Sequence, residues 1–437
     1  MVATRALDPV DGDDRLPEAA DVVVIGAGII GVAAAYHLAK AGHSVALLEK
    51  GVVAGEQSSR NWGWCRTFNR DEREIPLMQH SQGLWDSLPA EIGADMGFRR
   101  DGLVYVTKDP KELAEWRAWL DMAQPYQMGA RMIDAAEAKR LTPGNEQEWI
   151  GGIVSPRDGR AEPAMAAPAL AKAARALGVT LHQNCAARGL DTTGGRIAGV
   201  FTEKGRIRTQ AVVLSGGAWA SMFLRRHGIR MPQSSVHSTI FATTPARQVS
   251  PGPLRTPDFI LTPLLDGGYL VAAQARGRLE LTPAGIRYAR DFLPALRKNW
   301  KLVELRFGRS FFEGPDALHG AWSFDRPTVF ERMRVLEAKP KAGIVEPALR
   351  QIVAAYPDMA GIQAARLWAG WIDSTPDAVP VISRVEALPG LVVAAGFSGH
   401  GFGIGPGAGR LAADLATGAP PVVDPAPFAL SRFDRAA

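Results

Sequence analysis

The chain has 437 residues, 46% of them hydrophobic and 22% charged, and a net charge of +5. Length and apolar content predict two to three domains with an ample core, and the scattered basic residues form no stripe suited to a nucleic acid. Cys65 and Cys185 are too few for a disulfide framework and suit a reducing, cytoplasmic compartment; no segment reaches the roughly 18 apolar residues of a membrane span, and no signal-peptide core precedes the first apolar run.

Residues 1–19, rich in Asp, Pro and Ala, read as a flexible tail. Residues 22–25 are a continuous apolar run, expected as a buried parallel strand. Gly26, Gly28 and Gly31 follow in GxGxxG spacing, residues 33–41 have helical periodicity, and residues 44–48 form a second apolar strand closed by Glu49, 18 residues past Gly31. Gly26 permits the tight turn, Gly28 lets backbone approach a pyrophosphate, and Gly31 lets the helix pack on the sheet. The helix start, where Ile30 lies, offers N–H groups and positive dipole to phosphate, and Glu49, with Lys50 beside it, can accept hydrogen bonds from a ribose diol. NAD and FAD fit this unit equally.

The next segment separates them. Ser58, Ser59 and Arg60 place two hydroxyls and a guanidinium just past the second strand, where pyrophosphate oxygens beyond those met by the helix start could bond, and Asn61, Trp62, Gly63 and Trp64 continue the loop. A helix is predicted over residues 75–88, a strand over 102–107, and a helix over 111–122 with Trp116 and Trp119 inward. Another helix is predicted over 162–177, then strands at 180–183, 197–202 and 211–214 returning to the first sheet. The last strand runs into Ser215, Gly216, Gly217, Ala218 and Trp219, small residues that admit a cofactor or simple strand-to-helix packing. Residues 236–243 and 268–273 read as antiparallel strands of a different sheet, and 284–300 and 342–355 as helices. A buried strand at 391–395 leads into Gly396, Phe397, Ser398, Gly399, His400, Gly401, Phe402 and Gly403, read as an open loop before a final helix at 410–416. Glycines there admit a flat ligand, and the helix start would stabilise negative charge on the pyrimidine side of a reduced flavin. These loops favour FAD.

GxGxxG, the Ser58-Ser59-Arg60 loop, the SGGAW segment and GFSGHGF occur in the order and spacing of the D-amino acid oxidase superfamily of flavoproteins, and the chain resembles that family over nearly its whole length. The WAGWID stretch at 368–373, with Thr375, Pro376 and Asp377, resembles the family's return into the FAD domain. The resemblance implies α/β plus α+β architecture in a p-hydroxybenzoate-hydroxylase-like arrangement. A Rossmann-like FAD domain (residues 20–90, 150–232 and 362–437) would be interwoven with a mixed or antiparallel β-sheet substrate domain (residues 91–149 and 233–361). It implies that Ser58, Ser59 and Arg60 help hold the phosphates, that Asn61, Gly63 and Trp64 lie near the flavin ring, and that Ala186 contacts adenine through its backbone. Ser215, Gly216, Trp219, Gly396 and Ser398 would complete the cofactor contacts, with Gly399, His400, Gly401, Phe402 and Gly403 on the pyrimidine side. The sarcosine-oxidase branch carries a carboxylate-binding lysine where this chain has Gly403. Its covalent flavin link uses a cysteine in a region where neither Cys65 nor Cys185 lies, so FAD is expected to be non-covalent.

The expected reaction is oxidation of a C–N bond in an amino acid or secondary amine: hydride passes to flavin N5, the imine hydrolyses, and oxygen or an electron carrier takes the electrons. Arg66, Arg70 and Arg366 are candidates to grip an anionic substrate group, although each also suits a surface ion pair. His400 and Trp371 are candidates to face the substrate, and equally to pack. No histidine spacing suggests a metal. A flavin-holding subunit of a larger dehydrogenase and, less well supported, a flavin monooxygenase are the alternatives. Substrate, electron acceptor and oligomeric state are not legible.

Overall fold

The computed structural model describes residues 6–273, 277–300, 303–317 and 321–434. Its first sheet has six strands in the order Val381–Arg384, Leu391–Ala395, Ala211–Leu214, Val22–Ile25, Val45–Leu48 and Thr180–His182. All neighbours are parallel except the Val381–Arg384 edge, which is antiparallel. The runs are continuously apolar because helices and a further sheet bury both faces. Alternate side chains go to opposite cores: Val22, Val24, Val45 and Leu47 join one cluster, whereas Val23, Ala46, Val212 and Val393 join the other. The helices Ile29–Lys40, Pro163–Ala176 and Gly401–Thr417 cover the first face.

The second sheet has ten strands and is mostly antiparallel. Its centre is the pair Ser234–Thr243 and Ala364–Ser374, aligned so that Ser235 faces Asp373 and His237 faces Trp371. Leu103–Thr107, Arg131–Ile133 and Gly151–Ser155 complete one side, and Gly277–Leu281 with Val303–Phe307 the other. The chain builds part of the first sheet, leaves for the second, returns, leaves again and returns once more. The fold is therefore mixed α/β with two interwoven sheets.

Several expectations need correction. The strands Gly151–Ser155 and Ala364–Ser374, which fall in stretches expected in the FAD domain, pair in the second sheet, and the strand at 197–202, expected in the first sheet, lies in a separate three-stranded antiparallel sheet. The helix expected at 284–300 is two, Pro283–Arg287 and Ala289–Asn299. The expected loose tail is held from Leu7 onward: Leu7 and Val10 pack on one core, Asp13 accepts from Leu181 N (2.8 Å) and pairs with Arg175, and Leu16 packs on the other core. Most consequentially, the final helix begins at Gly401 rather than near 410.

Candidate active site

A cavity of about 410 Å³ runs along the C-terminal edge of the parallel strands, bounded opposite by the central strands of the second sheet. The edge is where the chain leaves one strand upward to its neighbour on one side and returns on the other, the place where open α/β sheets take ligands. Each strand delivers its next residues to the cavity: Gly26 and Gly28 after the first, Glu49 and Lys50 after the second, Ser215 and Gly216 after Ala211–Leu214.

The glycine turn is built for close approach. Gly26 has φ +100°, and a Cβ on Gly31 would stand 1.9 Å from Gly26 O, so the helix Ile29–Lys40 can seat against the turn only with glycine there. Gly28 and Ile30 face the cavity, while Gly31 packs behind them. Ser58 Oγ accepts from Ile29 N (2.9 Å) at the helix start. Glu49 is half-buried in the cavity wall; its two oxygens accept from Ala27 N and Gly51 N, each at 2.8 Å, and burial raises its pKa above the usual carboxylate range. Lys50 pairs with Glu56 at 2.5 Å and lies 4.7 Å from the centre of the Trp219 ring.

The loop after Glu49 is clamped by its own side chains. Asn61 Nδ2 donates to the carbonyls of Gln57 (3.1 Å) and Ser58 (2.8 Å), and its Oδ1 accepts from Gly63 N (2.7 Å). Arg60 donates to the carbonyls of Gly55 and Leu336, both at 3.2 Å, and its Nε is buried with no partner. Arg60, Asn61 and Trp64 line the cavity. Ser59, whose hydroxyl donates to Glu56 O, and Gly63, which packs on Ala161, do not. Ala186 also lies behind the wall, its N–H bonded to Glu203 (2.6 Å); Ala187 lines the cavity instead. Ser215 Oγ donates to Ile25 O (2.9 Å), and Gly216 and Trp219 line the wall beside it.

The wall toward the second sheet contains Trp62, Trp64, Ser238, Ile240, Trp371 and Ile372. Trp371 is 8% exposed and stands edge-on to His237, with ring centres 3.6 Å apart. Of the three candidate arginines, two are here. Arg70 is 3% exposed; its Nε donates to Arg66 O (3.1 Å), its Nη2 to His400 O (3.4 Å), and its Nη1 has no partner. Burial, then repulsion from Arg66, lowers its pKa to about 10. Arg66 bonds the carbonyls of Phe68 and Asn69. Arg366 is elsewhere: it does not line the cavity and pairs with Asp266 at 3.1 Å, a surface ion pair.

Gly399, His400, Gly401, Phe402 and Gly403 close the cavity as the first turn of the helix Gly401–Thr417 and its approach; Ser398 lines it at φ +51°, whereas Gly396 sits behind, against Thr375. A Cβ on Gly403 would meet Trp64 O at 2.6 Å, so no lysine fits here without moving backbone, which accounts for the departure noted from sequence. Gly403 O accepts from both Ser81 Oγ and Trp85 Nε1 at 2.8 Å, tying the turn to the helix Ile75–Ile92. His400 Nδ1 stands 3.3 Å from Oε2 of the buried Glu74. Burial and the nearby Arg70 charge lower the His400 pKa; burial raises Glu74, but the His400 contact and Arg70 outweigh it and hold the carboxylate below its usual range.

Sequence reasoning missed Glu56, Gln57, Asp373 and Glu74. Asp373 and Gln57 line the cavity, and burial raises Asp373 to about 6. Their only signal was polarity inside apolar or glycine-rich stretches.

The donors fit an FAD. A glycine cradle at a helix start, a half-buried carboxylate at the next strand end, the orphaned Nε of Arg60 and an apolar wall opposite together suit a charged pyrophosphate flanked by two flat ring systems. Residues 21–415 match the family described as FAD dependent oxidoreductase. The chain belongs to that family. It is a flavoprotein, with FAD as cofactor. It is 26% identical to a glycine oxidase of Pseudomonas aeruginosa, covering 93% of this chain and 98% of that one. It is 31% identical to human mitochondrial sarcosine dehydrogenase over 236 residues, 52% of this chain but only 26% of that protein, so it spans about a quarter of that relative. The structure of L-amino acid deaminase from Proteus myxofaciens in complex with anthranilate superimposes with a TM-score of 0.94 at 30% identity, covering 100% of this chain and 98% of that one. Among the described residues no helix is long and apolar enough to cross a membrane, no three metal-ligating side chains cluster, and both cysteines are free and buried.

Proposed function

We propose that this chain oxidises the C–N bond of a carboxylate-bearing substrate, an amino acid or N-alkyl amino acid. The observation that carries this reading is Arg70: a buried guanidinium in the cavity wall whose Nη1 has no partner. A buried unpaired donor costs free energy that an incoming carboxylate recovers, and a bidentate pair would fix substrate orientation. Arg66 beside it adds positive potential. That field also favours the neutral form of the substrate amine, the form that can be oxidised. Trp62, Trp64, Ile240 and Ile372 provide an apolar wall that excludes water.

Bound FAD supplies the acceptor for the substrate's α-hydride. Gly26, Gly28 and the helix start would hold its pyrophosphate with Ser58 and Arg60, Glu49 the ribose, and Gly399 to Gly403 the ring. The protein is asked for orientation and desolvation, and no side chain need act as a strong base. The arrangement implied is p-hydroxybenzoate-hydroxylase-like, with the parallel sheet as cofactor domain and the large sheet as substrate domain. Neither cysteine lines the cavity, which supports non-covalent FAD, and two free thiols suit a cytoplasmic enzyme. Oxygen or an electron carrier completes the cycle.

The test is anaerobic bleaching of the flavin with a panel of D- and L-amino acids, N-methyl amino acids, cyclic imino acids and their decarboxylated amines, followed by air. Bleaching by carboxylated donors over amines is expected; no bleaching by any donor would refute the reading, and slow recovery in air would indicate a dehydrogenase. One second reading has support. A relative covering 94% of this chain, at 24% identity, is named sarcosine oxidase subunit beta, from Rhodobacter capsulatus. On that reading the chain holds FAD as one subunit of a larger enzyme and bleaches only with its partners.

A further inference from the structure

Three separate cavity-lining segments meet at one residue. Asp373 lies at the end of the strand Ala364–Ser374, 3% exposed, and lines the cavity. Its Oδ2 accepts from Gly396 N (2.8 Å) and from Gln233 Nε2 (3.0 Å). Gln233 Nε2 also donates to Gly217 O (2.9 Å), and its Oε1 accepts from Ser221 N (3.0 Å). The backbone of Asp373 adds two bonds: its N–H donates to Gln57 Oε1 (3.4 Å), and its carbonyl accepts from Ser398 N (2.7 Å). One residue thus holds the segment after Glu49 through Gln57, the segment after Leu214 through Gln233, and the segment after Ala395 through Gly396 and Ser398.

None of these bonds belongs to the regular sheet ladders. The three segments carry most of the polar cofactor-facing groups, yet two of them are glycine-rich and have no stiffness of their own. Ser398, at φ +51°, is held in a conformation few side chains adopt by its N–H bond to Asp373 O and by Thr375 N donating to its hydroxyl (3.2 Å). A buried acid costs desolvation, and two hydrogen bonds converging on one oxygen give it a geometric purpose.

We propose that Asp373 is a positioning residue of the FAD site, its carboxylate acting through Gln233 and Gly396 to set the segments after Leu214 and Ala395 in register with the segment that its backbone ties to Gln57. The role concerns FAD binding alone and does not rest on the substrate assigned above: a flavin that no donor bleaches would refute that assignment and leave this one standing.

The test uses the full chain, stripped of flavin and titrated with FAD. Asp373→Ala loses both side-chain bonds, and its FAD Kd is expected to rise by about tenfold or more with a shifted visible flavin band. Asp373→Asn can keep its carbonyl oxygen at the Oδ2 position and retain both bonds; it is expected within about threefold of wild type, with the wild-type band. Gln233→Ala is expected to resemble Asp373→Ala, and the double variant to be no worse than the more affected single one, because both remove the same link. Wild-type affinity and spectrum in Asp373→Ala would overturn the proposal, as would equal losses in Asp373→Ala and Asp373→Asn, which would assign the effect to charge. If Asp373→Ala does not fold, Gln233→Ala decides: an unchanged FAD Kd and band there would overturn it.

Discussion

Arg70 and Arg366 are the same residue type, and only their surroundings separate them. Arg70 is sealed among Arg66 O, His400 O and the cavity, with its Nη1 unpartnered, whereas Arg366 satisfies itself on exposed Asp266. Arg70→Ala is therefore expected to raise KM for carboxylated donors on the order of 10- to 100-fold while leaving decarboxylated amines little changed, and Arg366→Ala to leave both alone; steady-state kinetics on matched substrates reads the difference. Gly403→Ala places a methyl 2.6 Å from Trp64 O and is expected to cost about 1–3 kcal/mol, read by denaturant midpoint. A third expectation concerns pH. Burial raises the Asp316 pKa from 3.8 to about 7, with Asp373 adding repulsion and Arg225 and Ser235 opposing. The folded pKa exceeds the unfolded one, so the stability held by the neutral acid is complete below pH 3.8 and is lost as pH rises through about 7. Between those limits wild type should lose roughly 2–4 kcal/mol relative to Asp316→Asn, measured as unfolding free energy against pH. At this scale the sequence exposed the glycines and Glu49 because their neighbours in the chain define their job. Glu74 and Asp373 were illegible because their partners, His400, Gln233 and Gly396, are distant in sequence.

Among the elements, the strands were the most legible, since four or five consecutive apolar residues bounded by glycine or polar residues have few other uses. The helix Gly401–Thr417 was half hidden. Its sequence, GFGIGPGAGRLAADLAT, has the composition of a loop, yet its glycines are what let it lie against the neighbouring helices. Pro406 removes an interior N–H, and Gly407 N turns to Ser81 Oγ at 3.2 Å, while Gly403 O is taken by Ser81 and Trp85. A helix with poor intrinsic propensity is thus stitched by side chains of another helix. Trp85→Phe keeps the packed ring and deletes one donor; it should lower stability by about 1 kcal/mol with an unchanged denaturant m-value, a loss measurable in urea. The strand Ala364–Ser374 was not read as a strand, and nothing in its sequence labels a partner; its register with Ser234–Thr243 is a tertiary fact.

For the whole molecule, the alternation of segments read from sequence did foretell that two sheets would be woven together. It could not tell which strand crosses where, because each boundary depends on pairing. The cavity draws its lining from both sheets, so neither holds a complete site. Calorimetry of the full chain should accordingly show a single transition whose van't Hoff and calorimetric enthalpies agree; two separable transitions would contradict this coupling. The repeated crossings also bear on how such a protein can change over time. A module joined by one linker can be exchanged whole between ancestors, but no single cut in this chain frees either sheet. New donor preferences must therefore arrive one side chain at a time on the strands Ser234–Thr243 and Ala364–Ser374, under a cofactor cradle that the same chain has to keep intact.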